Sequence, residues 1–321
     1  MRGWTVPRFG EPREVLELTD LPDPVAGEGQ RVVRVEAASV NFADILYCRG
    51  TYQDRPPLPF TPGLEVAGED PETGERLFGP AMMPHGGYAE QALLSSWYPW
   101  PEGMTAAQAS GFFVAYQTGW CALHHRTELR SGETLLVHAA AGGVGAAAVQ
   151  LGLAAGAGVI ATVGSPDKAE VARRLGAHEV IVLGPDRAVA DVLVPAVKDL
   201  TDGRGADVVY DPVGGDTFDA SRRVTAWEGR LLVIGFAGGR IADAPTNHAL
   251  VKNYDVVGVH WAAYRTRAPE LVVAWQRELE ALWAQRRIDP LVGAEYALAD
   301  LPDALDAIAA RTTTGRVVVT P

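Results

Sequence analysis

Apolar residues in this chain follow two rhythms. Up to about residue 115 they fall in β-rich runs, at 32–40 and 88–94, and proline clusters such as Arg55-Pro-Pro-Leu-Pro-Phe-Thr-Pro interrupt any long helix. From about Thr118 short apolar runs take over, at 134–139, 159–163, 180–183, 207–210 and 231–236. Stretches of helical character separate them. Residues 146–155 form one. Residues 165–175 form another, opened by Ser165 as cap and Pro166 at the first helical position and closed by Gly176. Short apolar strands alternating with helices predict a parallel sheet covered on both faces, the doubly wound α/β pattern of a nucleotide-binding domain. Past 256–260 the rhythm changes again, to a long helix from Pro269 towards Arg287 and a closing strand at 316–320.

Composition narrows this picture. A chain of 321 residues is long enough for about two domains. With 28 basic and 40 acidic residues its net charge is −12, which argues against a nucleic-acid surface. Two cysteines, Cys48 and Cys121, allow at most one disulfide and exclude a thiolate-built structural zinc site. Residues 134–166 contain no Asp, Glu, Lys or Arg, but seven glycines within that stretch are incompatible with a spanning helix. The N-terminal MRGWTVPRFG lacks the apolar run of a secretory signal, so a cytoplasmic location is expected.

The glycines concentrate where chemistry is expected. His138-Ala-Ala-Ala-Gly-Gly-Val-Gly145 lies between an apolar strand and an Ala-rich helix, in the pattern Ala139-x-x-Gly142-x-x-Gly145. Backbone without Cβ lets a pyrophosphate approach, and free N–H groups at a helix N-terminus bind it. Gly142, Gly143, Val144 and Gly145 are therefore candidate cofactor-binding residues. The next strand decides which dinucleotide fits. It ends in Gly164-Ser165-Pro166-Asp167-Lys168, with no acid at the strand end to take ribose hydroxyls. Gly164, the Ser165 hydroxyl and the Lys168 ammonium suit a 2′-phosphate, and the expected cofactor is NADPH. The alternative keeps Ser165 as a cap only and Lys168 as a solvated charge.

Segments spread over nearly the whole chain carry a family resemblance. They are Val40-Asn-Phe-Ala-Asp44, Pro57-Leu-Pro-Phe-Thr-Pro-Gly-Leu-Glu65, Gly86-Gly-Tyr-Ala-Glu90, Tyr116-Gln-Thr118, the glycine turn with Gln150-Leu151, and Val251-Lys-Asn253 leading to Val257-Gly-Val-His-Trp261. In these the chain resembles the zinc-independent, zeta-crystallin-like quinone oxidoreductases of the medium-chain dehydrogenase/reductase superfamily. The resemblance implies a GroES-like β-rich catalytic domain at 1–115 and 257–321. It implies a Rossmann NADPH-binding domain at 116–256 inserted between them, a cleft between the domains, and a homodimer.

At the positions matching the zinc ligands of zinc-dependent relatives stand Asn41 and Leu64. Asn is a poor zinc ligand and Leu is none, so no metal is expected. Glu65 then reads as an internal ion-pair or hydrogen-bond residue. The resemblance implies that Asn41 and Asp44 lie near the nicotinamide, with Asp44 alternatively holding its loop. It makes Tyr52 the proton-donor candidate, against a reading in which its ring only packs; Tyr47 is a second nearby phenol. Thr118 matches a residue contacting the nicotinamide amide, or else caps the helical segment it is expected to open. Phe236 completes the expected cofactor contacts. Hydride transfer asks mainly for orientation and water exclusion. The first reading is an NADPH:quinone oxidoreductase acting on a small-molecule electron acceptor. An NADPH-dependent reductase of activated alkenes, enals or enoyl thioesters, is the alternative. A cofactor-binding structural or sensor protein without turnover is the reading from another class.

Overall fold

The computed structural model describes residues 1–321. The chain runs through β1 (Arg2–Thr5), β2 (Glu17–Asp20), β3 (Arg31–Val40), β4 (Glu65–Glu69), β5 (Arg76–Pro80), β6 (Gln91–Leu94) and β7 (Tyr98–Pro99). Six strands follow: β8 (Thr134–Val137), β9 (Gly158–Val163), β10 (Glu179–Val182), β11 (Ala206–Asp211), β12 (Thr225–Val233) and β13 (Asp255–Gly258). Strands β14 (Val292–Ala297) and β15 (Arg316–Thr320) close it. Contacts divide the chain into two units, Met1–Val114 with Pro290–Pro321, and Ala115–Asp289.

In the first unit the sheet order is β14-β15-β3-β4-β5-β7, with β6 also paired to β3. Both chain ends thus build one sheet: β15 lies antiparallel to β3, with Val318 opposite Ser39. Its core joins Trp4, Val35, Tyr88 and Leu94 to Leu301, Leu305 and Val317. Gly63 is held at φ +107° with its Cα so close to the next loop that a Cβ would stand 2.7 Å from the Gly87 amide nitrogen. This close approach accounts for glycine in both segments, and it delivers the chain into β4 at Glu65. The β-and-loop expectation for the first 115 residues misses three short helices, Pro12–Val15, Phe42–Arg49 and Ala106–Ser110, of which the second carries Asp44 and is capped by Asn41.

The second unit is a six-stranded sheet in the order β10-β9-β8-β11-β12-β13, parallel throughout. Leu136, Ile160, Ile181, Val209 and Leu231 pack against Leu193, Val197 and Phe218 of the covering helices. The strand runs need no polar face because helices cover both sides. The expected cut at 256/257 is displaced to 289/290. The chain after β13 remains on this unit because Gln117 Nε2 donates to the Val272 carbonyl (3.1 Å) and to Gln276 Oε1 (3.0 Å). Gln150 Nε2 likewise donates to the Asp289 carbonyl at 2.8 Å. The helix Pro269–Ala284 buries Val272, Trp275, Gln276 and Leu279. The strand expected at 231–236 starts earlier and stops at Val233, so Phe236 lies in the loop beyond it.

Candidate active site

The parallel strands of the second unit present their carboxyl ends along one edge, and β8 sits where the chain order reverses, with β9 on one side and β11 on the other. Such a switch point is where open α/β sheets take ligands. The glycine turn leaves β8 there. Ala139 takes φ +49°, Gly142 is the N-cap and the helix Gly143–Ala154 follows. A Cβ on Gly145 would lie 2.2 Å from the Ala139 carbonyl oxygen, so only glycine lets the helix start this close to the turn. Gly142, Gly143 and Val144 are half-buried around that opening.

The next strand brings Gly164, Ser165 and Lys168 to the same edge, since β8 and β9 pair in register with Val137 opposite Ala161. A Cβ on Gly164 would meet nothing within 4 Å. Ser165 occupies the N-cap of the helix Pro166–Arg174, yet its side chain makes no capping hydrogen bond. Its hydroxyl is therefore not spent on the helix end. Lys168 is half-buried in the first turn of that helix. Phe236 is 37% exposed, beside Gly214. Thr118 is buried inside the helix Phe113–Trp120, five residues past its start, so it opens no helix and caps none.

Two residues at this edge escaped sequence reasoning. His138 is fully buried between Thr162 Oγ1 (2.8 Å to Nδ1) and Ser221 Oγ (2.7 Å to Nε2). Ser221 already donates to the Thr217 carbonyl, so Nε2 carries the proton and Nδ1 accepts from Thr162. Burial pushes the imidazole down to about 3, and it stays neutral while tying the end of β8 to its neighbours. Asp211 ends β11, accepts from the amides of Val213 (2.8 Å) and Gly214 (3.0 Å) through Oδ1, and leaves Oδ2 buried without a partner. Burial raises its carboxyl to about 6. The signal was a strand-ending Asp followed by Pro-Val-Gly-Gly, an Asx-type turn.

In the first unit Asn41 caps the helix Phe42–Arg49. Asp44, three residues on, accepts from the Asn41 amide at 2.7 Å, completing a capping box that the Asn-x-x-Asp spacing announces. Asp44 also accepts from the Tyr88 hydroxyl at 2.5 Å, and its Oδ1 is buried without a partner. The Asn41 amide was expected to face cofactor or acceptor. It is instead engaged inside the unit, donating to Ser39 O (3.3 Å) and Glu65 Oε1 (3.2 Å) and accepting from Arg316 at 3.0 Å. Arg316 further binds Glu65 Oε1 and Ser39 Oγ, and Glu65 Oε2 accepts from the Val114 amide at 2.7 Å. A guanidinium thus neutralises the carboxylate beside Asn41 and Leu64. No three His, Cys, Asp or Glu side chains gather as metal ligands anywhere in the chain.

Tyr52 stands apart from this network. It is half-buried against the small cluster of Val6, Val15, Tyr47 and Phe60, with its ring 4.5 Å from that of Tyr47. Burial, and secondarily the charges of Asp54 and Asp44, raise its phenol, so it is a neutral donor at any ordinary pH.

Burial is also the first cause that lifts Asp44 from 3.8 to about 7. The folded state then holds a proton that the unfolded state releases above about pH 4. Stability therefore falls as pH rises from about 4 to about 7, by roughly 3 kcal/mol from this group. In Asp44→Asn, which keeps the acceptor for Asn41 and Tyr88, melting temperatures at pH 5 and pH 8 should converge relative to the parent. An unchanged difference would remove Asp44 as its source.

Comparison with known proteins agrees with both halves of this arrangement. An alcohol dehydrogenase GroES-like domain model matches residues 27–83, and a model described as zinc-binding dehydrogenase matches residues 143–277. Quinone oxidoreductase-like protein 2 of Mus musculus is 37% identical over 321 residues, 96% of this chain and 89% of that one. The quinone oxidoreductase of Pseudomonas aeruginosa is 34% identical over 331 residues, 98% and 97% of the two chains. The quinone oxidoreductase of Thermus thermophilus, solved alone and with NADPH, superposes with a TM-score of 0.87 over all of both chains at 35% identity. The chain is an oxidoreductase and belongs to the quinone oxidoreductase family of the medium-chain dehydrogenase/reductase superfamily.

Proposed function

We propose that this enzyme transfers reducing equivalents from NADPH to a quinone without zinc. The observation that carries the cofactor is the turn at Ala139–Gly145, where glycine lets a helix N-terminus start tight against the end of β8 at the switch point of the sheet. The amides of Gly142, Gly143, Val144 and Gly145 hold the pyrophosphate. Gly164 gives close backbone approach, and the Ser165 hydroxyl with Lys168 takes the 2′-phosphate. Thr118 and Phe236 border the nicotinamide. When bound, the cofactor supplies the hydride. Lys168→Ala should then weaken NADPH binding about tenfold and leave NADH nearly unchanged in fluorescence titration. Equal losses for both would remove Lys168 from the 2′-phosphate.

Zinc independence rests on the donor set. Asn41 is fully hydrogen-bonded, Leu64 has no donor atom, and Arg316 holds the carboxylate of Glu65. A polarising metal is not needed for an acceptor that is already electron-poor. Tyr52 is the proton donor for an acceptor reduced at carbon, whereas a quinone oxygen draws its proton from water, and Asn41 and Asp44 act as positioning residues that fix the start of the helix carrying Tyr47. We take the enzyme to work in the cytoplasm as a homodimer, a second copy covering the open edge of β13; no helix is long and apolar enough to cross a membrane.

The deciding experiment is NADPH oxidation with 1,4-benzoquinone, 9,10-phenanthrenequinone, 2-alkenals and crotonyl thioester, for the parent and Tyr52→Phe. Quinones should turn over fastest, with 2-alkenals second. In Tyr52→Phe, kcat with alkenals should drop about a hundredfold, since carbon needs a positioned acid, whereas a quinone oxygen takes its proton from water. Faster turnover of enals or the thioester would favour alkene reduction. Tight NADPH binding with no turnover of any acceptor would sink both readings.

A further inference from the structure

At the other edge of the second unit's sheet, where β11 and β12 begin, the surface sinks into a hollow of about 500 Å³. Its walls carry Lys198, Arg204, Arg223, Trp227, His248 and Lys252, and no Asp or Glu lines it. Three helices end here: Val189–Leu200, Gly215–Val224 and Thr246–Lys252. Cations at helix C-termini are ordinary, because the last carbonyls attract them. Lys252 is used in that way, donating to the carbonyls of Arg222 (3.3 Å), Arg223 (3.0 Å) and Thr225 (2.9 Å). Arg204 is spent on Asp207 and on Thr134 Oγ1.

Lys198 and Arg223 are different. Both are exposed at the hollow, and neither side chain has a hydrogen-bond or ion-pair partner. They add positive charge beyond what the helix ends and Asp207 neutralise. In keeping with this, Lys252 is held below its ordinary value by burial and secondarily by Lys198, and His248 by burial and secondarily by Arg222 and Lys252. Concentrated, unneutralised cations on a chain of net charge −12 cost free energy unless an anion relieves them. Trp227 adds a flat apolar face, 67% exposed, at the same place.

We propose that this hollow binds a polyphosphoryl group, held by Lys198 and Arg223 with Lys252 beneath it. The site is separate from the cofactor edge. It lies at the first residues of β11 and β12, whereas the glycine turn follows the last residue of β8, roughly 17 Å of strand away.

Calorimetric titration with tripolyphosphate, against sulfate at matched ionic strength, tests this. Saturable binding is expected, weakened at least tenfold in the Lys198→Gln/Arg223→Gln double variant, with NADPH affinity unchanged and tripolyphosphate affinity unaltered by saturating NADPH. ATP identifies the source of the phosphoryl group. Tighter binding than tripolyphosphate, with the gain lost in Trp227→Ala, supports a nucleotide, and equal affinity supports an inorganic polyphosphate. The proposal is overturned by non-saturable binding, by undiminished affinity in the double variant, by displacement with NADPH, or by binding of single-stranded RNA alone.

Discussion

Arg316→Met is expected to destabilise the protein by about 3–5 kcal/mol, read as a lower urea midpoint. The guanidinium is the one cation on Glu65, a carboxylate with no exposure to solvent, and it also binds Asn41 and Ser39. Methionine fills a comparable volume and leaves the charge. Burial already raises the Glu65 carboxyl, and Arg316 is the first of the influences that lower it again. Without Arg316 the folded carboxyl rises further, so it takes up a proton that the unfolded chain releases above about pH 4. The loss should therefore be largest at neutral pH and shrink as pH falls towards the ordinary glutamate range. Adding Glu65→Gln should recover part of it, because the unpaired charge goes too. A single-variant loss below about 1 kcal/mol would mean that water reaches this pair.

Gly145→Ala should reduce NADPH affinity at least a hundredfold. Its Cβ would meet backbone on every side, 2.2 Å from the Ala139 oxygen, 2.8 Å from that carbonyl carbon and 2.9 Å from Ala140 Cα. No side chain can rotate away, so the turn must open and its amides lose their common aim. Gly158→Ala is the control, because its Cβ would find nothing nearer than 3.9 Å. The measurement is fluorescence titration with NADPH, alongside circular dichroism to show that the variant is folded. Parent-like affinity in a folded Gly145→Ala protein would move the pyrophosphate elsewhere.

The candidate site was legible where the constraint is local. Ser165-Pro166 marks a helix start through the fixed φ of proline, and the strand expected at 316–320 is β15 as found. The glycine turn is readable because excluding a Cβ is a steric demand within a few residues. Asn41 and Asp44 carried a capping box in plain view, but the proline-rich surroundings hid a helix of only eight residues. Thr118 was misplaced because its helix starts at Phe113, where an apolar run shows no boundary.

By itself, then, the sequence determined the alternation of elements and the backbone shape of the cofactor turn, since periodicity and sterics are properties of neighbouring residues. Tertiary structure alone decided the rest. Glu65 meets Arg316 across 251 positions, and Gln117 meets Gln276 across 159, which carries the second unit to Asp289. The raised carboxyl of Asp44 and the crowding of Lys198, Arg223 and Lys252 have the same origin. Coulomb energy depends on distance and on the removal of water, and both are set only when distant segments pack together.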